Sequence, residues 1–155
     1  MGSFVFNAEK TPVPPISGMQ NVTIKGAKYA LSSAGNHMIN IRYELEDVVD
    51  AADRSVTVFG RLIFVPAGWY HDLCVDFINA IGRNPIEELG GKDIDEAMLT
   101  EWAESLLGEA LTIRIVMKPD NRPIEGTQSR PDQPDITGYY PYGSAKSVKS
   151  LLGDL

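Results

Sequence analysis

The sequence predicts a mainly β fold: a five-stranded antiparallel Greek-key barrel with a helical insert between strands 3 and 4. Three observations predict it. Three segments of alternating apolar and polar residues come first, residues 70–108 change to helical periodicity, and alternation then returns twice. Consecutive strands with one helical interruption before the fourth are typical of such a barrel, in which the helix covers an open end. A generic α+β sheet is the alternative that this order leaves open.

Strands 1 and 2 carry the clearest pattern. In strand 1 the apolar phase slips by one residue at Gly26, which is typical of a β-bulge that bends a long strand around a barrel corner. Strand 2 alternates strictly over residues 38–46, and the turn before it contains the Gly35-Asn36 pair, a strong turn signal. The core-facing residues predicted for strand 2 are Ile39, Ile41, Tyr43 and Leu45.

The later elements are predicted at residues 56–64 (strand 3, with Gly60 at its centre), 73–81 and 93–107 (helices), 111–118 (strand 4) and 136–140 (strand 5). The outward faces of strands 2 to 4 include Met38, Ile63 and Thr112. The resulting organisation is an extended N-terminal arm over residues 1–20, an OB-type barrel over 21–142 with its insert at 70–108, and a flexible C-terminal tail over 143–155.

The negative charge is confined to one part of the chain. The net charge is −7, but residues 70–109 alone hold ten acidic and two basic side chains. The flanking segments are close to neutral and are free to carry positive patches. The insert therefore accounts for the acidity, and the barrel does not.

The sequence gives no sign of an enzyme. It has two histidines and one cysteine, none paired at metal-ligand spacing, and it has neither a phosphate loop nor a nucleophile elbow. The acids of residues 87–104 alternate with an apolar stripe, so a solvated helix face is favoured over catalytic carboxylates. We expect no catalytic residue, no metal and no cofactor.

The single cysteine, Cys74, lies in an apolar stretch, which favours a buried, unreactive thiol over a reactive one. One unpaired cysteine also favours a reducing compartment. No basic segment followed by an apolar run opens the chain. We expect the protein to be cytoplasmic, and in the host cytoplasm if it is phage-encoded.

A binding surface is the function that this pattern favours. In a five-stranded barrel of this type, ligands cross strands 2 and 3 between the 1–2 and 4–5 loops. Single nucleic-acid strands need cations for the phosphates and flat side chains on which bases stack. The candidate nucleic-acid-binding residues on these elements and on the neighbouring strands are Lys25, Lys28, Asn36, His37, Asn40, Arg42, Phe59, Arg61, Arg114, Lys118, Arg122, Tyr139 and Tyr140. For Phe59, packing under the N-terminal arm or a helix is the alternative to base stacking, and we expect at least one of Tyr139, Tyr140 and Tyr142 in the core.

The run from Gly26 to Asp47 resembles a pattern of small bacteriophage-encoded proteins: a lysine-bearing strand, then S-x-x-G-N-x-M-I/L, then an alternating strand ending in Glu-x-Asp. The helix ending at Phe77–Gly82 is similar to their L-x-x-L-G helix. These are single-stranded DNA-binding proteins with an OB fold, which act in phage DNA replication and recombination. The resemblance covers residues 22–118. It implies that the Ser33–His37 turn borders the DNA groove and that Arg42 faces it.

A second function stays open beside DNA binding. The helical stretch over residues 89–108 is longer than a minimal barrel needs, so the acidic insert is also interpreted as a dimer surface or a docking site for a replication or host protein. We expect single-stranded DNA as the main partner, a homodimer or higher oligomer, and no membrane contact.

Overall fold

The structure is a computed structural model, and it describes residues 16–50, 52–118 and 133–145. The predicted order of three strands, a helical segment and two strands is confirmed. The elements in chain order are β1 (Gly18–Leu31), β2 (His37–Val49), β3 (Ser55–Ile63), α1 (Trp69–Ala80), α2 (Pro85–Glu88), α3 (Glu96–Ser105), β4 (Ala110–Lys118) and β5 (Gln133–Tyr140). Within these ranges, no helix combines the length and the apolar character that crossing a membrane requires.

One antiparallel sheet contains the five described strands in the order β3-β2-β1-β4-β5. This is the strand order of a Greek-key barrel of the OB type. The edge strands β3 and β5 approach each other closely at Gly60 and Ile136. A Cβ added to Gly60 would lie 2.6 Å from Cδ1 of Ile136. Among the described residues no ladder of hydrogen bonds joins β3 to β5. The barrel is therefore partly open along this seam.

The bend of the sheet lies in β1, where the register against β2 shifts between Ile24 and Gly26. This is the bulge that the phase slip predicts. Residues 18–23 of β1 pair with β4, and residues 22–31 pair with β2. A bulge bends and twists its strand, so a single long strand serves both halves of the sheet.

The core is one cluster shared by the strands and the insert. Ile39, Ile41 and Tyr43 of β2 are fully buried, as their alternation predicts. Phe77 of α1 and Leu99 of α3 are buried in the same cluster, with α1 packed on β3 and β5 and α3 packed on β1. The insert is thus an integral part of the core.

Three short segments differ from the sequence predictions at their boundaries. Ile16 is buried and β1 begins at Gly18, so residues 16–20 belong to the barrel and not to the arm. A single helical turn, α2, follows Asn84, whose side chain accepts a hydrogen bond from the backbone N–H of Ile86 at 2.9 Å. β5 begins at Gln133, three residues earlier than predicted.

Three residues predicted to point outward are buried. Met38 and Ile63 are paired across β2 and β3, side by side on the outer face. Thr112 is fully buried because it meets Asn21 across β1 and β4. Alternation assigns a face to each residue, but it does not show what covers that face.

Asn21 and Thr112 tie the segment after β5 to the barrel. The Thr112 hydroxyl donates to Oδ1 of Asn21 at 2.6 Å, and Nδ2 of Asn21 donates to the carbonyl oxygen of Ala145 at 3.1 Å. The backbone N–H groups of Gly143 and Ser144 donate to Asn21 and to Thr112, at 3.3 and 3.2 Å. Residues 143–145, predicted as the start of a flexible tail, are therefore held against β1 and β4.

We expect Asn21→Ala to lower the free energy of unfolding by about 1–3 kcal/mol, because the buried Thr112 hydroxyl loses its acceptor. The Asn21→Ala/Thr112→Val double variant should lose less than the sum of the single losses, since the two side chains are directly bonded. Urea unfolding measures the free energies of unfolding of Asn21→Ala, Thr112→Val and the double variant. Thr57→Ala, at an exposed position of β3, is the control, and an equal loss there would contradict the prediction.

Candidate nucleic-acid interface

The outward face of β2 and β3 brings predicted cations together in cross-strand rows. Lys28, Asn40 and Arg61 lie opposite one another on β1, β2 and β3, and all three are exposed. Within the described part of the chain, neither Lys28 nor Arg61 has an ion-pair or hydrogen-bond partner. Both charges are therefore available to an anionic ligand.

The neighbouring row places Arg42 beside Phe59, with Gly26 on the other flank. Because Gly26 has no side chain, Arg42 extends over the bulge and donates from Nη2 to the carbonyl oxygen of Lys25 at 3.3 Å. The Phe59 ring is 69% exposed. A large, exposed apolar ring beside cations is a surface on which a flat ligand can stack.

A cleft of ≈ 460 Å³ opens beside these rows, where β3 approaches β5 and the first turn of α1. Gly60 lies in its wall, and its missing side chain allows β3 to approach Ile136. The other residues that line the cleft are Asn40, Phe59, Arg61, Trp69, Tyr70, Leu73, Lys118, Pro134, Asp135 and Tyr139. Five of the predicted site residues, Asn40, Phe59, Arg61, Lys118 and Tyr139, therefore line one concave surface.

Trp69 and Tyr70 are the cleft residues that sequence reasoning missed. Trp69 precedes Leu73 by four residues and Phe77 by eight, so helical periodicity assigns it to the buried stripe of α1. In the structure it is 58% exposed, and its ring centroid lies 5.2 Å from that of Tyr70. The signal that could have found the pair is its position at the first helical turn, directly after the Pro66–Gly68 segment.

The charged groups of the cleft are only partly neutralised. Nζ of Lys118 lies 2.6 Å from a carboxylate oxygen of Asp135, and both side chains are substantially exposed. An ion pair in contact with water contributes little free energy, so an anionic ligand can take the place of Asp135 beside Lys118. With Arg61 unpaired, the cleft holds two cations against one carboxylate.

The turn between β1 and β2 presents fewer groups to a nucleic acid than predicted. Its His37 is half-buried, and Nδ1 of this residue lies 2.6 Å from the Tyr29 hydroxyl, with which it shares a hydrogen bond. Loss of contact with water raises the pKa of Tyr29, and the nearby carboxylates of Glu96 and Asp95 raise it further. The start of α3 thus brings negative charge to this turn, which disfavours a polyanion here.

Tyr139 borders the cleft but is corrected to a core residue: it is 7% exposed, its ring packs edge to face on Phe77 at 5.3 Å, and burial raises its pKa. The remaining predicted residues are dispersed. Nε of Arg114 donates to the Thr137 hydroxyl at 2.8 Å. Asn36 is half-buried, and its backbone N–H donates to the Ser32 hydroxyl. Lys25 is exposed and Tyr140 is half-buried. Arg122 lies outside the described residues.

A second concave surface lies on the insert and is mostly apolar. Its volume is ≈ 370 Å³, and it runs between α1 and α2. Ile86 of α2 is 78% exposed beside it. Four exposed acids, Asp72, Asp76, Glu87 and Asp93, are sequence neighbours of residues that line the groove. The two basic residues of this segment are engaged: Arg83 pairs with Glu88 and Glu109, and Lys92 donates to the backbone of Glu88.

Cys74 is buried beside this groove, and its thiol donates to the carbonyl oxygen of Ile63 at 3.4 Å. Burial raises the pKa of this thiol to about 12. In the described ranges no three residues of the His, Cys, Asp and Glu types are grouped as a metal site would need.

The sequence matches no protein-family model and no curated protein. A solved structure of yeast RPA bound to ssDNA is similar to the chain, with a TM-score of 0.42 and 13% sequence identity, over 98% of this chain and 89% of that chain.

We expect the Cys74 thiol of the folded protein to resist alkylation at pH 8, because only the thiolate is nucleophilic and this thiol stays protonated up to about pH 12. Mass spectrometry after iodoacetamide treatment measures the modified fraction. Denaturant should make labelling rapid, since the pKa returns to its ordinary value on unfolding. Fast labelling without denaturant would contradict the burial of this thiol.

Proposed function

We propose that this chain binds single-stranded DNA without sequence preference, on the outward face of β2 and β3 and in the adjoining cleft. The observation that carries the proposal is the exposed Phe59 ring, which lies on the polar face of a strand between Arg42 and Arg61. A solvent-exposed phenylalanine has no role in the core. Beside two arginines, it has the composition of a base-stacking surface.

The mechanism divides between charge and stacking. Lys28, Arg42 and Arg61 neutralise phosphates, and the counterions they displace make the affinity fall as salt rises. Phe59 stacks on a base, which contributes about 1–3 kcal/mol regardless of base identity, because every base has a π-face. Neither contact reads a base edge, so the expected binding tolerates any sequence.

The resemblance of residues 22–118 to phage single-stranded DNA-binding proteins supports extending the proposal to phage DNA replication and recombination. In that role the protein holds single strands and does not convert a substrate. Coating a strand needs many copies side by side, which fits the expectation of a homodimer or higher oligomer.

We expect fluorescence anisotropy with labelled oligo-dT to show binding that weakens between about 50 and about 200 mM salt. Arg42→Ala and Arg61→Ala should each lower the affinity and reduce the slope of log K against log salt by about 0.7, the value for one phosphate contact on a single strand. Phe59→Ala should lower the affinity and leave the slope unchanged, because stacking releases no counterion.

Lys92→Ala is the matched control. It removes one exposed cation from the segment after α2, outside the proposed DNA-binding face and cleft, so both affinity and slope should stay at the wild-type values. Failure of the wild-type protein to bind oligo-dT at low salt would refute the proposal. An equal loss in Lys92→Ala and Arg61→Ala would show that net charge alone determines binding.

The apolar groove on the insert favours a second function, the docking of a partner protein. The exposed Ile86 supplies an apolar contact, and the acids around the groove fit a partner segment with apolar side chains flanked by lysine or arginine. The groove and the cleft both adjoin α1, but no residue lines both of them. The two functions are therefore compatible in one molecule.

We expect a labelled amphipathic peptide of leucine and lysine to bind the wild-type protein. Ile86→Asp should weaken it about tenfold or more, because burial of an isoleucine side chain is lost. A leucine and glutamate peptide of equal length should not bind, since its charge matches that of the insert. Equal binding of the two peptides, or no effect of Ile86→Asp, would exclude this groove as the docking site.

A further inference from the structure

The aromatic residues of the cleft are separated from the β2–β3 rows in sequence but adjacent to them in space. Phe59 contributes to the β3 wall of the cleft, and Trp69 and Tyr70 contribute to its α1 wall. All three rings are exposed, although the chain contains only 13 phenylalanine, tyrosine and tryptophan residues together. Three exposed rings around one cleft are a costly arrangement for a surface with no ligand.

Trp69 is held in place without being covered. The Tyr70 ring meets the indole at an interplanar angle of 63°, in an edge contact. More than half of Trp69 stays in contact with solvent. Because the indole is the largest aromatic surface a protein offers and is exposed at the cleft, a flat ligand can stack on it.

The polar groups of the cleft fit a nucleotide and not a purely apolar ligand. Arg61 and Lys118 supply positive charge for a phosphate, and Asn40 supplies both a donor and an acceptor. Asn40 and Arg61 also belong to the row of the β2–β3 face. The cleft is therefore continuous with the surface on which the phosphates are proposed to lie.

We infer that this cleft is a stacking subsite for one unpaired nucleobase, with Trp69 as its platform, and that it gives the protein its preference for single strands over duplex. This inference rests on the proposed function. A base within a duplex is covered on both faces by its neighbours, so it cannot reach the indole. The strand thus crosses β2 and β3 and turns a base into the cleft at α1.

Tryptophan fluorescence tests the inference directly, because the chain has two tryptophans in opposite environments. Trp69 is exposed, whereas Trp102 is buried in the core and donates from its indole nitrogen to Glu88 at 3.0 Å. A base that stacks in the cleft should quench Trp69 alone. Oligo-dT should quench the emission, and an abasic oligonucleotide of equal length, which keeps the phosphates, should not.

Two substitutions separate stacking from charge. Trp69→Ala should weaken oligo-dT binding about 5- to 150-fold, the range for one stacked base, with the salt slope unchanged. Trp69→Phe should keep most of the affinity but abolish the quenching, because Trp102 is then the remaining tryptophan. Leu107→Ala, at an exposed apolar position after α3, is the control and should match the wild type. Circular dichroism verifies that each variant is folded.

The outcomes distinguish this inference from the proposed function. If the wild-type protein binds oligo-dT but Trp69→Ala binds equally well, or if quenching persists in Trp69→Phe, the subsite is refuted and the β2–β3 interface stands. If the abasic oligonucleotide quenches as strongly as oligo-dT, the cleft binds phosphate and not a base. If the wild-type protein binds no oligonucleotide, the proposed function fails, and the subsite fails with it.

Discussion

The double pairing of β1 is the constraint on which the rest of the structure depends. One strand must pair with β4 through its first half and with β2 through its second, and the bulge at Gly26 supplies the change in direction. Without that bend β3 and β5 would stay at opposite edges of a sheet. Instead they converge at Gly60 and Ile136, and the cleft forms where they meet.

Gly26, the glycine at the bulge, also affects which side chains lie on the outer face. Its missing side chain leaves room for Arg42 to extend over β1, next to the Phe59 ring. A Cβ added at this position would lie 3.5 Å from Cβ of Arg42, in ordinary van der Waals contact. The bend of β1 and the placement of Arg42 on the proposed binding face thus meet at the same residue.

Alternation predicts a great deal of this fold because most strands have one buried and one exposed face. Strand order, the bulge and the buried residues of β2 follow from it. It fails where two outward residues cover each other, as Met38 and Ile63 do, or where a polar pair is buried, as Asn21 and Thr112 are. Those outcomes depend on contacts between distant segments, which periodicity does not contain.

In the candidate site, too, periodicity predicts some residues correctly and misses others. The residues on β2 and β3 were predictable, because a strand fixes the direction of each side chain. Trp69 was not, because its helical spacing matches a core position and only the three-dimensional position of the first turn of α1 exposes it. Tyr139 is the opposite case, an aromatic residue near the end of a strand that fills the core beside Phe77.

The distribution of charge explains how a chain with net charge −7 can offer a face to a polyanion. The insert carries the acids, and the start of α3 brings Asp95 and Glu96 close to the 1–2 turn. Repulsion there disfavours a strand that leaves the β2–β3 face toward that turn. Attraction by Arg61 and Lys118 favours an exit through the cleft. In the proposed function, the acidic insert therefore helps to direct a single strand toward Trp69, while its own surface stays available to the proposed basic partner.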